Sequence, residues 1–419
     1  MNRYVYKTIE EHVIDRNVPV ILYGPPGIGK TGLLKQLQES GRCRSYVMIH
    51  PAIDRDFTEG LCRACDSGQS LCEYLCAFFG FDPDMLRNRM LVLIDGLEPL
   101  RERVLPLFQR ELPAHFAATT SRIEYFDIFL KSRKVNHKFI KVSGFSFYEF
   151  LEAVSQDEEI RYAELLRAHY LNGNPVPDLI DEEIRELFHD YLLTGGYPEA
   201  ILQYNRNRTD LSEIRRVHGQ LYSSVLMRYL NNLPEGLSPV KTLQLLNYIR
   251  DYAGDYRGQF HPGHIRRGAQ EREFLKELDY LCVNGVLVPV YKDGQFYRYE
   301  MADFGLLHYV ANDYDTFYKL DNHENLPEYL YQSYFYHEIT RRNLQINIVK
   351  EGRSAYLSYT NGTIGFQHFS RGKRAVPTVS EAAGTAGIPL RVKYLTDRKN
   401  PVEKSDHNIQ YYFLEQTQF

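Results

Sequence analysis

Short apolar runs separated by stretches with helical periodicity fill residues 1–145 of the chain. Apolar runs of three to six residues bounded by polar or turn residues are typical of strands buried in a parallel sheet. Amphipathic stretches between them are typical of the helices that cover such a sheet. The pattern therefore predicts an α/β fold around a parallel sheet. The five predicted strands are residues 18–23, 46–49, 90–94, 116–118 and 139–142.

The pattern changes near residue 145. Residues 147–230 carry apolar positions three and four apart, which predicts a series of helices with a turn-rich break at 172–177. Residues 237–312 predict helices followed by two apolar runs around Asp293-Gly294, and this helix–hairpin order resembles a winged helix. The remaining residues predict one helix and then strands with Gly and Pro turns. We therefore divide the chain into the segments 1–145, 146–235, 236–312 and 313–419.

Composition supports a folded chain with several domains. It has 419 residues, of which 43% are hydrophobic and 25% charged, and this excludes a largely disordered protein. A net charge of -4 excludes a uniformly basic coat for nucleic acid, so any basic surface must be local. No apolar run approaches the ~18 residues of a membrane span. The first residues are charged where a signal peptide needs an apolar core, so we expect a cytoplasmic protein without a membrane partner.

One segment fits the phosphate-binding pattern G-x-x-x-x-G-K-[ST] at every fixed position. Its glycines let backbone N–H groups turn inward around phosphates, and the predicted helix that follows points its positive end at them. Lys30 can reach the β- and γ-phosphates, and Thr31 can place its hydroxyl on Mg2+. The alternative is a structural Gly-rich turn. The predicted cofactor-binding residues are Gly24, Pro25, Pro26, Gly27, Ile28, Gly29, Lys30, Thr31 and Gly32.

Such a loop needs a second oxygen ligand for magnesium. The apolar run 90–94 ends at Asp95, and ligands in parallel sheets lie at the carboxyl ends of strands. The sequence therefore predicts that Thr31 and Asp95 hold Mg2+ beside a bound nucleotide. We find no [NT]-K-x-D element of the kind that selects guanine, so ATP is the favoured nucleotide.

Hydrolysis also requires a group that orients or deprotonates water. Gly96 follows Asp95 directly, where many ATPases have Glu, and the nearest carboxylate is Glu98. Glu98 either reaches the water or is a solvated loop residue, and the sequence leaves both open. Thr119 and Thr120 are candidates for sensing the γ-phosphate from the end of the neighbouring strand.

Four cysteines cluster between residues 62 and 76. Cys62, Cys65, Cys72 and Cys76 have a spacing compatible with a tetrahedral zinc site. Cys72 and Cys76 are also four residues apart in an apolar segment, which is typical of a buried helix face. We favour packing and keep zinc as the alternative.

Six segments in this order resemble prokaryotic AAA-type ATPases in which the P-loop domain is followed by a helical lid, a winged helix and a C-terminal module of the domain-of-unknown-function 4143 kind. The resemblance covers nearly the whole chain. The segments that carry it are GPPGIGKT, LVLIDGLE, FSFYEFLEA, LLTGGYPEAIL, ELDYLCVNGVLVPVY and MADFGLLHYV.

The resemblance implies a sheet with strand order 5-1-4-3-2. It also implies a C-terminal α/β module similar to restriction-endonuclease cores. Residues 388–393 match that module's second motif, with Arg391 where Glu is usual and Lys393 in place. No acid stands at residues 363–367, where the first motif should lie, although Glu338 is present on the preceding helix. Metal-dependent cleavage needs convergent carboxylates, so we predict a degenerate, inactive nuclease-like fold.

The same group tends to carry an arginine finger some ten residues before the FSFYEF segment. That place holds Asn136-His137 here, with Arg133 and Lys134 close by. Either Arg133 or Lys134 is a candidate for completing the site across a subunit boundary, which would require a homo-oligomer. The alternative is a solvated helix end.

Two local basic clusters are candidate DNA contacts. Residues 371–404 hold eight Lys or Arg against three acids, and such clusters neutralise phosphates even in an acidic protein. Ordinary solvated faces are the alternative. The second cluster comprises Arg257, His261, His264, Arg266, Arg267, Arg272 and Lys276.

The sequence therefore predicts an ATP-binding protein, a slow Mg-dependent ATPase whose nucleotide state controls DNA or protein contacts. The alternative function is a nucleotide-gated binding protein with negligible turnover. A DNA nuclease is a weaker alternative, because the metal-binding carboxylates are missing.

Overall fold

The computed structural model divides the chain into two compact units. The first comprises residues 2–143 with 283–285, and the second comprises residues 144–282 and 286–419. From residue 346 onward only the backbone of five strands is described. The described residues are 3–67, 69–84, 90–100, 114–123, 137–155, 161–172, 176–208, 211–231, 233–252, 259–292, 295–311, 326, 328–341, 346–351, 354–359, 364–368, 391–396 and 408–410.

The first unit is built on a parallel five-stranded sheet. Its strand order is β5-β1-β4-β3-β2, which is the order implied by the sequence resemblance. All four strand pairings are parallel. The inner strands are apolar on both faces because helices cover both sides of such a sheet. The strands are β1 (Val20–Tyr23), β2 (Tyr46–Ile49), β3 (Leu91–Asp95), β4 (His115–Thr120) and β5 (Lys138–Lys141).

Four α-helices accompany this sheet in the described part of the unit. One of them, α4, begins at a capping box in which Ser70 and Glu73 satisfy each other's backbone N–H groups, and it ends at Gly80 with a φ of 68°. A π-helical turn (Glu11–Asp15) continues the first helix. The helices are α1 (Tyr4–Glu10), α2 (Lys30–Glu39), α3 (Arg55–Asp66) and α4 (Leu71–Phe79).

The helices predicted over residues 147–230 are present in the second unit. The first begins at a buried capping box formed by Ser146 and Glu149, the sequence signature of a helix start. The Phe147 ring of this helix packs against α7 (Asp178–Thr194). It meets the Phe188 ring edge-on and the Tyr191 ring at a tilt. The five helices are α5 (Phe147–Val154), α6 (Tyr162–Asn172), α7 (Asp178–Thr194), α8 (Pro198–Arg206) and α9 (Leu211–Leu230).

The predicted helix–hairpin follows, and its hairpin belongs to a larger sheet. Strands β6 (Leu287–Lys292) and β7 (Gln295–Met301) pair antiparallel, and β6 also pairs in parallel with β8 (Ile346–Glu351). The sheet therefore runs across residue 312, where we place a segment boundary on sequence grounds. This region contains α10 (Pro239–Asp251), α11 (Pro262–Ile265), a 3-10 turn (Glu271–Glu273), α12 (Leu275–Val283), β6 (Leu287–Lys292), β7 (Gln295–Met301), α13 (Phe304–Val310) and α14 (Glu328–Arg341).

Among the residues that the structure describes, seven strands form this second sheet in the order β12-β11-β10-β9-β8-β6-β7. Strands β8, β9 and β10 are consecutive antiparallel neighbours, and β11 and β12 then add in parallel. The last five strands are β8 (Ile346–Glu351), β9 (Ser354–Tyr359), β10 (Ile364–His368), β11 (Arg391–Thr396) and β12 (Asn408–Gln410).

Two of the segments that carry the sequence resemblance meet in the second unit. The Asp303 carboxylate accepts the N–H of Gly196 at 2.9 Å and the N–H of Leu306 at 2.9 Å. A Cβ on Gly305 would lie 2.7 Å from the Cα of Gly195, so only glycine allows this approach. The paired glycines of LLTGGYPEAIL and the DFG of MADFGLLHYV thus join α7 to α13.

Cys62, Cys72 and Cys76 pack against the hydrophobic core of the first unit. Burial raises the pKa of the Cys72 thiol to about 11, which keeps it in the neutral form that packs as a small apolar group. The Cys65 side chain lies outside the described residues. Across the described side chains, no group of three or more His, Cys, Asp or Glu is arranged to hold a metal ion.

In the stretches that the structure describes, every helix is too short or too polar to cross a membrane.

Candidate nucleotide-binding site

The glycine-rich loop lies between β1 and α2, at the carboxyl end of a central strand. Gly27 and Gly29 have φ values of 79° and 97°, a backbone region that glycine adopts at little cost. Gly24 has a φ of 153°, and a Cβ there would lie 2.4 Å from the carbonyl oxygen of Val142. The loop conformation therefore depends on the absence of side chains at these positions.

Lys30 is the first residue of α2 and is only 7% exposed. Its Nζ donates to the carbonyl oxygens of Gly24 and Pro25 at 2.7 and 2.8 Å. The ammonium group is thus held inside the curve of the loop, at the positive end of a helix. Ile28 is buried beneath the loop, while Gly32 has open space where a Cβ would project.

Asp95 and Thr31 meet at the centre of the site. The Thr31 hydroxyl donates to the Asp95 carboxylate, with oxygen–oxygen distances of 3.0 and 2.9 Å. The Thr119 hydroxyl donates to the same carboxylate at 2.7 Å. Because β3 lies beside β4 in register, Asp95 pairs with Thr119 across the two strands. Three residues that the sequence singled out therefore converge.

The turn after Asp95 curls back over the end of β4. The Thr119 hydroxyl accepts the N–H of Gly96 at 2.8 Å, and Gly96 has a φ of 93°. The Glu98 carboxylate then accepts the N–H of Ser121 at 2.6 Å. Glu98 is half-buried at the end of β4. Thr120 is fully buried and its hydroxyl accepts the N–H of Arg122 at 3.0 Å.

Sequence patterns did not identify His50, which follows β2 beside this site. Its Nδ1 lies 3.5 Å from Asp95 Oδ2. His50 can be recognised as a site residue only once β2 is known to pair with β3. That pairing places the residues that follow the two strands next to each other.

Arg3 and Asn284 were missed as well. Arg3 is 8% exposed and donates to the carbonyl oxygen of Ser143 at 2.6 Å and to that of Ile28 at 3.3 Å. The buried Asn284 side chain accepts the N–H of Ile123 at 3.0 Å. Arg3 thus contacts the loop, and Asn284 contacts the segment after β4. Both residues are far from their partners in sequence, so no local motif could predict these contacts.

Some predicted site residues fall outside the described part of the chain. Arg133 and Lys134 are among them, as are Arg257 and most of residues 371–404.

Burial lowers the pKa of His137, which precedes β5, so the neutral form of the imidazole is favoured near pH 7.

No protein-family model matches the chain, and no curated protein matches it. Solved structures that resemble it include a Walker-type ATPase and RuvB. A Walker-type ATPase of Pyrococcus abyssi aligns over 74% of this chain and 95% of its own length, with 16% identity and a TM-score of 0.46. A variant of RuvB from Thermotoga maritima aligns over 70% of this chain and 90% of its own, with 17% identity and a TM-score of 0.32. The candidate site is defined by this chain's own residues, above all Lys30, Thr31 and Asp95.

Proposed function

We propose that the chain binds Mg-ATP at residues 24–32 and hydrolyses it slowly. The observation that carries this proposal is the contact between the Thr31 hydroxyl and the Asp95 carboxylate at 2.9 to 3.0 Å, with the buried Lys30 as the preceding residue of the chain. A hydroxyl and a carboxylate are the hard oxygen ligands that Mg2+ takes in phosphoryl-transfer sites. The donor set therefore fits a magnesium ion and a phosphate chain.

Each residue has a defined task in this proposal. Lys30 exchanges its two carbonyl partners for phosphate oxygens, and the N–H groups of residues 27–31 surround the phosphates. Thr31 and Asp95 hold the metal, which neutralises charge on the phosphates when bound. Thr119 orients Asp95 by its hydrogen bond at 2.7 Å.

Glu98 is the proposed group for positioning water. One of its carboxylate oxygens is engaged by the N–H of Ser121 at 2.6 Å, and Gly96 occupies the place directly after Asp95. A carboxylate that already holds a backbone donor is less available to orient or deprotonate water. We therefore propose slow turnover.

Phosphate release at saturating Mg-ATP tests the proposal. We expect slow release by the wild type and a reduction of at least tenfold in Lys30→Ala, because a charge-assisted contact of about 1.5–3 kcal/mol is lost. Lys35 lies exposed on the same helix, so Lys35→Ala is the matched control and should behave as the wild type. Equal rates in all three proteins would contradict the assignment.

A nucleotide-gated binding protein is the second candidate, favoured by the Glu98–Ser121 contact. In that case ATP occupancy sets contact with a partner, and hydrolysis contributes little. Glu98→Gln discriminates between the two. A further fall in phosphate release assigns Glu98 to hydrolysis, whereas negligible release that the substitution leaves unchanged supports gating.

DNA is one partner that nucleotide state would control in this proposal. His264, Arg267, Arg272 and Lys276 are exposed, while Arg266 forms an ion pair with Glu273 at 2.5 Å. Exposed cations can neutralise backbone phosphates, and such binding weakens steeply as salt rises. A flat salt response of DNA affinity would remove DNA as the partner.

The C-terminal module is proposed to be nuclease-like in fold and inactive. Support comes from the antiparallel run β8-β9-β10 followed by the parallel strand β11. Glu338 is fully buried and accepts a hydrogen bond from Arg341 at 3.0 Å, so it is engaged within the fold. We expect no cleavage of DNA with Mg2+ or Mn2+. Cleavage that disappears in Lys393→Ala would overturn this proposal.

A further inference from the structure

A cavity lies entirely within the second unit, on residues that the proposed ATP site does not use. Its volume is about 590 Å3, within the range of small-molecule sites. The walls come from α9, the end of α10 and the end of α13. The polar residues that line it are Arg215, Tyr222, Arg250, Asp251 and Tyr309.

One wall is a buried cation held against an aromatic ring. Arg215 is 8% exposed, and its guanidinium carbon lies 5.2 Å from the centre of the Tyr309 ring. Tyr309 crosses α9 at Gly219, where a Cβ would lie 2.9 Å from the Tyr309 hydroxyl oxygen. A glycine inside a helix costs about 1 kcal/mol relative to alanine, and the close approach of Tyr309 accounts for it here. This wall is therefore fixed by packing.

A second cation lines the cavity near a phenol. Arg250 donates from Nε and Nη2 to the Asp251 carboxylate at 3.0 and 2.9 Å, and 46% of its side chain is exposed. Burial raises the pKa of Tyr222, and the nearby Arg250 offsets part of the rise. The Tyr222 and Tyr309 rings have centres 6.1 Å apart.

The cavity lining thus combines two guanidinium groups, one carboxylate and two phenol rings. Guanidinium groups bind phosphate through paired N–H donors, and aromatic rings stack on flat heterocycles. An excess of positive charge disfavours a metal ion, and charged walls disfavour a purely apolar ligand.

We propose that this cavity binds a 5′-phosphorylated nucleoside, with the phosphate at Arg215 and Arg250 and the base against Tyr222, because the Tyr309 ring already carries the Arg215 guanidinium. The ligand chemistry is shared by free mononucleotides and by the 5′-phosphorylated end of a nucleic-acid strand. The proposal is independent of the proposed ATP site, because it uses none of the residues 24–32.

The test uses the full-length Lys30→Ala protein, in which the phosphate lysine of the first site is absent. Calorimetric titrations compare AMP, GMP, CMP and UMP with ribose 5-phosphate, which lacks the base, and with adenosine, which lacks the phosphate. A second arm compares a six-nucleotide strand carrying a 5′-phosphate with the same strand carrying a 5′-hydroxyl.

Arg250→Gln and Tyr222→Leu probe the cavity without removing the buried Arg215. Each should weaken binding at least tenfold, the factor expected for a lost contact of about 1.4 kcal/mol. Arg228 is an exposed arginine on the same helix as Tyr222 but does not line the cavity, so Arg228→Gln should bind as the parent does.

The outcomes are distinct. Binding of mononucleotides, or of the 5′-phosphorylated strand alone, supports the proposal and identifies the source of the ligand. It is overturned if the folded protein binds neither at millimolar concentration, or if Arg250→Gln binds as tightly as Arg228→Gln. Neither result depends on whether the first site binds ATP.

Discussion

Gly24 and Gly32 stand on either side of Lys30, and they differ in whether a side chain has room. At Gly24 the φ is 153°, and a Cβ would lie 2.4 Å from the Val142 carbonyl oxygen, so there is no room. At Gly32, in the first turn of α2, a Cβ meets nothing within 4 Å. Two glycines of one motif therefore have different physical reasons to be there.

This difference predicts opposite effects on stability. Gly24→Ala should lower the free energy of unfolding by about 1–3 kcal/mol, because a side chain is forced into a strained backbone region against a neighbouring segment. Gly32→Ala is the matched control and should be neutral or stabilise by about 0.5–1 kcal/mol. Urea denaturation measures both, and equal destabilisation by the two substitutions would contradict the loop geometry.

Thr119 supports a prediction about how Asp95 is held. Its hydroxyl donates to Asp95 and accepts the N–H of Gly96, and Thr119→Val removes both bonds while keeping the volume. The apparent affinity for Mg2+ during phosphate release should fall at least severalfold. Thr58→Val is the control, because the Thr58 hydroxyl on α3 donates to the carbonyl oxygen of Pro51 instead. Unchanged magnesium dependence in Thr119→Val would show that Thr119 does not position Asp95.

At the scale of helices and strands, the close contact between α7 and α13 gives a structural role to the segments LLTGGYPEAIL and MADFGLLHYV, which contribute no residue to the candidate nucleotide site. Asp303 caps α13 and also accepts the N–H of Gly196. Asp303→Asn replaces an acceptor by an amide and leaves a buried N–H unsatisfied, so the free energy of unfolding should fall by about 1–3 kcal/mol. Glu235 is exposed, and Glu235→Gln should stay within about 0.5 kcal/mol of the wild type. Equal stability of the two variants would contradict this role.

His218 gives the same region a pH dependence. It is fully buried and hydrogen-bonds the Thr194 carbonyl oxygen at 2.8 Å. Burial lowers its pKa, Arg215 adds to the shift, and Asp303 and the Thr194 bond oppose it. The folded state therefore binds the proton less readily than the unfolded chain, whose histidines titrate near 6.5. The contribution of neutral His218 to the free energy of unfolding is therefore complete above about pH 6.5. It is lost as the pH falls from there toward the lower pKa of His218 in the folded state.

We expect the unfolding free energy to fall between pH 7.5 and 5.5. His218→Gln keeps an N–H donor for Thr194 but does not titrate, so its loss over that range should be smaller than that of the wild type. Denaturation at both pH values measures the difference. An identical loss in the two proteins would exclude His218 as a source of the pH dependence.

The elements of the first unit were largely predictable from the chain. Apolar runs at 46–49 and 90–94 fall within about one residue of β2 and β3. Residues 91–94 of β3 are all buried, and a strand buried on both faces has little room for polar residues. The position of the glycine-rich loop after β1 and of Asp95 at the end of β3 was predictable, because the loop follows a pattern of fixed spacing and an apolar run precedes Asp95. His50 and Arg3 were not, because their contacts depend on which strands are neighbours.

At the scale of the whole molecule, two sheets belong to two compact units. The sequence did not predict that β6 belongs to the seven-stranded sheet. Its hairpin partner β7 is close in sequence and was predicted, whereas its second partner β8 lies more than fifty residues further along the chain. Hydrophobic patterns predict that a strand exists, but the partner on its second edge follows only from the tertiary fold.

The central claim is that the loop at residues 24–32 and Asp95 together bind Mg-ATP. Calorimetric titration of Mg-ATP into the wild type, Lys30→Ala and Lys35→Ala tests it most directly. We predict one binding event in the wild type and in Lys35→Ala, weakened at least tenfold in Lys30→Ala. Folded wild-type protein that gives no heat with Mg-ATP, or a Lys30→Ala protein that binds as tightly as the wild type, would contradict the account.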